Sequence, residues 1–322
     1  LASKKELAMI DILGKRYYYF LFSLLIIIPG MIVLAVNGLP LAVDFKGGSL
    51  MEVQFTSAEL PTTEQIVNIY EANGFNEVYV QRTSLKQGTP EDSLIIRSPF
   101  MDDAMRTNIV NTMKTDFNEP NLVLTRFESV GPSIATEVAQ RAMLAVAVAA
   151  LAVILYITLA FRGVAHAFRY GVCAIAAMLH DILIVISVTA IGGQLFGWQV
   201  DSLYLTALLT VIGFSTQDKI VVFDRIRENS AYLRKLPFEK LVNHSIVQTL
   251  QRSINTQLMT VEFMLLSLAL FGGVTLREFA VILLIGLFSG TYSSIFIAAP
   301  LLVIWENKEW RTWFGRKSTQ TA

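Results

Sequence analysis

Charge is scarce in this chain: only 16% of its 322 residues are Asp, Glu, Lys or Arg, against about a quarter in an ordinary soluble domain. What charge there is sums to zero, with 26 basic and 26 acidic residues, so no basic excess points to nucleic acid. One cysteine, Cys173, excludes a disulfide framework and a cysteine-based zinc site, and reads as a small core residue. Three scattered histidines (His166, His180 and His244) have no metal-ligand spacing, so neither a metal nor a cofactor is expected. Hydrophobic residues make up 53% and the mean hydropathy is +0.52. They gather in runs of roughly 18 or more, long enough for a bilayer core of about 30 Å. The pattern is that of a polytopic α-helical membrane protein.

The first run, Tyr17–Val36, follows Lys4, Lys5, Lys15 and Arg16; it is too long for the apolar core of a signal peptide and reads as a retained span, placing the first transmembrane helix at 17–37. Five more runs follow, near Ala139–Ala160, Arg169–Ile191, Ser202–Phe223, Ile254–Phe271 and Phe279–Ile304, giving a five-helix region over 139–304 and six transmembrane helices in all. The short loops and ends of one face carry fifteen Lys and Arg, against Arg277 alone on the other. By the positive-inside bias the termini, 1–16 and 305–322, are expected in the cytoplasm and the 38–138 segment outside. That segment holds 14 acidic and seven basic residues, and long loops cross largely regardless of charge. The chain begins at Leu1, so a short native start is expected to precede it.

Within 38–138 the period changes. Ser49–Phe55 alternates as a strand, Thr62–Asn73 has helical spacing through Ile66, Ile69 and Tyr70, and Asn73–Gly74 stops it. Val78–Gln81 and Leu94–Arg97 read as strands, Asp102–Phe117 as a second helix and Leu122–Phe127 as a last strand. The order βαββαβ predicts a small ferredoxin-like α+β domain between the first and second helices. It contains no paired carboxylates in a defined frame, no nucleophile with a base and no phosphate-cradling loop, so binding is expected of it and not catalysis.

Ionisable residues inside spans are costly and mark function by default. Here they are His180 and Asp181 in the third span, Asp218 and Lys219 in the fourth, Arg252 at the start of the fifth and Glu262 within it. Asp218 lies six residues, about 9 Å of helix, before Asp224 at the cytoplasmic end. At that depth a carboxyl without a nearby cation favours its neutral form and can load and release a proton. Arg252 is the expected partner. With Thr249, Thr256 and Thr260 it forms one stripe on the fifth span, which could line a wet path. The same hydroxyls also fit static helix pairing, and both readings stand on the residues alone. Lys219 is expected to snorkel toward the interface. Gly213, Gly286 and Gly290 are expected at close helix contacts, and the amphipathic Pro237–Gln251 stretch along the membrane surface.

These motifs resemble a known family. Asp44, Gly47 and Gly48 after the first span, Val130–Pro132 before the second, His180–Asp181, Phe271–Gly273 and above all the Ile212–Asn229 stretch are similar to SecF, the smaller membrane subunit of the SecDF auxiliary complex in the resistance-nodulation-division superfamily. The resemblance covers essentially the whole chain. It implies a bacterial inner-membrane protein that acts with a SecD-like partner, using the proton motive force to assist the late stage of preprotein export through the SecYEG channel. It also implies contact with unfolded preprotein and membrane lipid, with no nucleic acid and no enzymatic activity. Asp218 and Arg252 match the family's intramembrane proton-pathway positions, with Asp181, Thr256, Thr260 and Glu262 as further candidates. Asp44, Gly47 and Gly48 match its outer motif, and Gly213, Asp224, Arg225, Arg227, Glu228 and Asn229 its signature.

The chain also departs from that pattern. Phe214 and Gln217 replace the usual Tyr and Asn, and Lys219 stands where a small or hydroxyl residue is usual. Val247, Gln257 and Met259 differ in the fifth span, and Glu262 falls at an apolar position. Two other functions compete with export: half of a proton-coupled small-solute exporter of the same superfamily, and a passive scaffold with structural buried charges. One outer domain of about 100 residues argues against the exporter, whose relatives carry two larger ones.

Overall fold

In a computed structural model of the chain, which describes residues 10–55, 60–83, 93–162, 167–257, 263–272 and 274–309, the apolar runs form helices. The elements divide into a helical unit and a sheet unit. The helices are α1 (Arg16–Asn37), the short α2 (Val43–Lys46), α3 (Thr63–Ala72), α4 (Asp103–Asp116), α5 (Pro132–Ala160), α6 (Ala167–Phe196), α7 (Ser202–Tyr232), α8 (Phe238–Gln257), α9 (Phe263–Phe271), α10 (Val274–Ser293) and α11 (Ala299–Glu306). A π-helical segment, Ser294–Ala298, joins the last two. Among the described residues, five stretches are long and apolar enough to cross a membrane: Leu13–Asn37, Pro132–Ala160, Phe168–Phe196, Ser202–Tyr232 and Leu276–Glu306. The expected span Ile254–Phe271 contains residues 258–262, which lie outside the described residues; its described parts are the end of α8 and all of α9.

Small residues set the helix approaches in the helical unit. A Cβ added at Gly30 of α1 would overlap Ser187 of α6, and one at Gly286 of α10 would overlap the side chain of Val211 on α7. At Gly290 the added atom would stand 3.1 Å from the Ser215 Cβ. Gly286 and Gly290 are thus one close-contact stripe against α7. Gly213 has open space around it, so the close contact expected there is absent. The amphipathic stretch expected along the membrane surface lies in α8 and buries Leu241, Val242 and Ile246 in a core shared with Phe161, Phe223 and Leu302. Bundle packing therefore takes the apolar face assigned to the interface. The N-terminal chain is stapled to this helix, because Asn243 accepts from the Ile12 amide at 3.0 Å and donates to the Ile10 carbonyl at 3.0 Å.

The sheet unit contains β1 (Gly48–Gln54), β2 (Tyr79–Thr83), β3 (Ser93–Ser98) and β4 (Val123–Val130), with α3 between β1 and β2 and α4 between β3 and β4. The four strands are antiparallel in the order β2-β3-β1-β4, with Met51 opposite Ile96 on one side and Phe127 on the other. Alternation decides the faces: Met51, Val53, Leu94 and Ile96 pack with Ile66 and Ile109 of the helices, while Leu50 and Ile95 meet Val43 on the opposite face. Thr62 caps α3 through a reciprocal capping box with Gln65, and Asp102 caps α4 by accepting from the Met105 amide at 2.8 Å. Gly74, at φ +90°, follows α3 where an L-residue would be strained.

Candidate functional site

Two buried carboxylates define the site, one on α6 and one on α7. Asp181 is 1% exposed and has five polar partners. Its Oδ1 accepts from Ser289 Oγ at 2.7 Å and lies 3.0 Å from His180 Nδ1. Its Oδ2 accepts from Ser215 Oγ at 2.5 Å, Lys219 Nζ at 2.7 Å and Ser293 Oγ at 2.7 Å. Ser215 and Lys219 are four apart on α7, and Ser289 and Ser293 four apart on α10, so each pair presents one face. The missing side chains at Gly286 and Gly290 let those two helices close around the carboxylate.

Lys219 does not snorkel. It is wholly buried and also donates to the Ser215 carbonyl and hydroxyl. An ammonium with every N–H satisfied beside a carboxylate can stay in the interior, and stretching its stem toward water would strand Asp181 without a counter-charge. His180 stacks on Tyr292 with centroids 6.3 Å apart, and its Nε2 is buried with no hydrogen-bond partner among the described residues.

Asp218 has a different environment. It is 8% exposed; Ser253 Oγ donates to Oδ1 at 2.8 Å and Ser294 Oγ to Oδ2 at 2.5 Å. Among the described residues it makes no ion pair. Arg252, the expected partner, is exposed. Neighbours on a helix point about 100° apart, so the face that brings Ser253 to Asp218 turns Arg252 away. Thr249 is buried and spends its hydroxyl on the Ser245 and Ile246 carbonyls, while Thr256 is exposed. Thr260 and Glu262 lie outside the described residues. The serines at 215, 253, 289, 293 and 294 were missed by sequence reasoning. Their signal is the Ser215/Lys219 and Ser289/Ser293 spacing on faces opposite Asp181.

The remaining motif residues have structural partners. Asp44 Oδ2 accepts from the backbone N–H of Ser202 at 3.0 Å and from its hydroxyl at 2.6 Å. The same segments are joined by a Leu41–Val200 bridge. Gly47 and Gly48 have φ of +82° and +119°, and a Cβ at Gly48 would come within 2.7 Å of the Ser98 carbonyl oxygen. Only glycine takes that path without strain. In the signature, Asp224 pairs with Arg227 and Arg225 with Glu228. Arg225 Nε donates to Gln248 at 2.7 Å, and the buried Asn229 donates to Ser245 at 2.8 Å and Gln248 at 2.9 Å, which ties α7 to α8. Among the described residues no cluster of three His, Cys, Asp or Glu could hold a metal.

A polytopic membrane protein with buried carboxylates between its helices and a four-stranded α+β unit narrows the class, and comparison with known proteins gives the family. The family described as protein export membrane protein SecD/SecF, C-terminal, matches residues 109–308, and the SecD/SecF GG motif matches 32–59. Protein translocase subunit SecF of Anaerolinea thermophila is 65% identical over 308 residues, covering 96% of this chain and 98% of that one. SecF of Thermobaculum terrenum is 47% identical, covering 98% and 99%. The crystal structure of SecDF, a translocon-associated membrane protein from Thermus thermophilus, superposes with a TM-score of 0.77 at 32% identity, covering 93% of this chain and 39% of that one. The chain therefore spans about two fifths of that solved SecDF chain. It belongs to the SecD/SecF family of protein export membrane proteins, a family of translocation subunits and not of enzymes.

Proposed function

We propose that this chain is the SecF-type half of an accessory complex that uses the proton motive force to assist late stages of preprotein export through the SecYEG channel, with a SecD-like subunit as the other half. One observation carries the reading: Asp218, within the Ile212–Asn229 signature, is buried at a helix junction and held by two serine hydroxyls, with no ion-pair partner among the described residues. A serine can either donate to a carboxylate or accept from a neutral carboxyl, so the site tolerates both states. Arg252 and Thr256, exposed on the isolated chain, are the candidates to carry a proton between Asp218 and the partner or solvent, with Thr260 and Glu262 further along the span.

The need for a SecD-like partner is supported by the Bacillus subtilis SecDF, 33% identical, of which this chain covers 38%. Bare apolar faces on α1 and α5, including Leu25, Ile32, Leu144 and Leu151, fit lipid or such a partner. The βαββαβ order and the strand order β2-β3-β1-β4 support a ferredoxin-like reading of the sheet unit, which would lie outside and bind emerging preprotein. The Lys and Arg bias supports cytoplasmic termini, and the Ile254–Phe271 run a sixth span.

The deciding variant is Asp218→Asn, made in membranes containing the partner. Proton flux and export should both fall while the chain still inserts and copurifies. Normal flux and export at normal assembly would overturn the reading.

A further inference from the structure

The Asp181 site holds a buried cation that proton loading at Asp218 does not use. Lys219 Nζ reaches Asp181 Oδ2 at 2.7 Å, the Ser215 carbonyl at 3.3 Å and the Ser215 hydroxyl, so all three of its N–H groups have an acceptor. From this arrangement we propose that Lys219 is the resident counter-ion of Asp181. Asp181 is then a fixed carboxylate that positions α7, and proton exchange is confined to Asp218, one residue before the lysine. The proposal rests on the proton-loading reading of Asp218.

Charge balance carries the first step. One carboxylate and one ammonium form a neutral buried pair, and placing a proton on Asp181 would leave a lone ammonium with no exposure to water. An isolated interior charge is strongly disfavoured, far more than a paired one. Donor counting carries the second. Both oxygens of Asp181 are already filled by Ser215, Lys219, Ser289, Ser293 and His180. The hydroxyls can turn to accept from a neutral carboxyl, but the Lys219 ammonium has no acceptor site, so a proton on Oδ2 would have to turn it away. The other titratable groups facing the pair do not change this: His180 meets Asp181 through Nδ1, and the Tyr292 ring stacked on it directs its hydroxyl to the Tyr19 carbonyl at 2.8 Å.

Asp218 meets neither obstacle. Its partners among the described residues are two neutral hydroxyls, and among those residues no buried cation is stranded when it becomes neutral. Adjacent positions on α7 point about 100° apart, so the pairing that satisfies Lys219 with Asp181 keeps the ammonium off Asp218. Lys219 therefore leaves the loading carboxylate free. It locks the neighbouring α6 site instead.

Dicyclohexylcarbodiimide, which modifies protonated carboxyls in apolar surroundings, tests this on the unaltered chain in membranes with its partner. Peptide mapping should find the adduct on Asp218 and none on Asp181, and Lys219→Met should bring Asp181 into reaction. An adduct on Asp181 of the unaltered chain would overturn the proposal. Independently, Asp181→Asn and Lys219→Met should each lower export about tenfold or more, because each leaves an uncompensated buried charge or donor set. The double variant should recover to within about threefold, as coupled partners do when removed together. A double variant present at normal level but no better than the singles assigns Asp181 to the proton path and overturns the fixed pair. If the double variant does not accumulate, the labelling decides alone. A fully active Asp218→Asn chain would instead remove the loading reading, with the double variant still judging the pair.

Discussion

Ser294 donates a 2.5 Å hydrogen bond to Asp218 from the first residue of the π-helical segment that separates α10 from α11. The preceding residue, Ser293, donates to Asp181 at 2.7 Å. Two consecutive serines therefore serve two carboxylates on different helices, at the point where the helix takes up an extra residue per turn. Such π segments recur at functional sites because the wider turn re-aims side chains that an α-helix would direct elsewhere.

Ser294→Ala should leave one Asp218 oxygen buried without its donor, a penalty of about 1–3 kcal/mol on the charged form. Export should fall about tenfold at unchanged membrane level, since about 1.4 kcal/mol is a factor of ten. Ser294→Thr, which keeps the hydroxyl, should fall much less. A reporter secretion assay with immunoblotting of the membrane fraction measures both, and equal export by the alanine variant would remove Ser294 from the site.

How much of this was legible depended on whether a residue's partner was local. The capping box of Thr62 and Gln65, the Asp102 cap and the alternation of Met51, Val53 and Phe55 are written within a few residues, and the expected strands and helices of the sheet unit appear within one to three positions of their bounds. The depth of Asp181 and Asp218 was legible as well, because a charge inside an apolar run needs no alignment to stand out. Their partners were not. Ser253 and Ser294 lie 35 and 76 residues from Asp218, and serine is so common at helix contacts that its spacing carries little weight until the crossing is known. Lys219 was misread for the same reason: its snorkelling preference was local, and the carboxylate that holds it inside is 38 residues away. In a sequence the Arg252 charge draws attention that a neighbouring hydroxyl does not, whereas the helix face brings Ser253 and not Arg252 to Asp218.

Asp44 and Gly48 should separate by magnitude. Asp44→Ala removes an acceptor for the Ser202 amide at the start of α7, a loss of about 1 kcal/mol for an N-terminal cap. Gly48→Ala must hold φ near +119° with its Cβ against the Ser98 carbonyl, a strain well above ~1 kcal/mol. Thermal unfolding of the full chain in detergent should therefore show a small drop for the first and a larger one for the second. The reverse order would contradict the strained turn.

Acid should loosen the contact between Glu309 and the start of α1. Burial works against the Glu309 charge, but hydrogen bonds from Tyr17 and Arg16 outweigh it and hold its carboxyl below the ordinary value of 4.5. A carboxyl lowered by folding contributes stability that is fully present above its unfolded value and is lost as pH falls through the folded one. Glu309→Gln should melt below the unaltered chain at pH 6, and the gap should close as the pH falls below 4.5 and through the lowered folded value. A gap that stays constant with pH would show that the ion pair is not its source.

The glycines of α10 and α7 should respond oppositely to one added carbon. At Gly286 the new Cβ would strike Val211, on the stripe that brings Ser289 and Ser293 to Asp181, and helix backbones cannot separate there without drawing those hydroxyls away. Gly286→Ala should thus cost at least the ~1–3 kcal/mol typical of overpacking and reduce export through the carboxylate site as well as accumulation. Gly213 lies inside α7 with nothing within 4 Å, so Gly213→Ala meets no neighbour and should stabilise the helix by about 0.5–1 kcal/mol. Both residues fall in runs that read alike from sequence, and only the crossing of α7 and α10 tells them apart. Melting temperatures that move in the same direction for the two variants would refute that crossing.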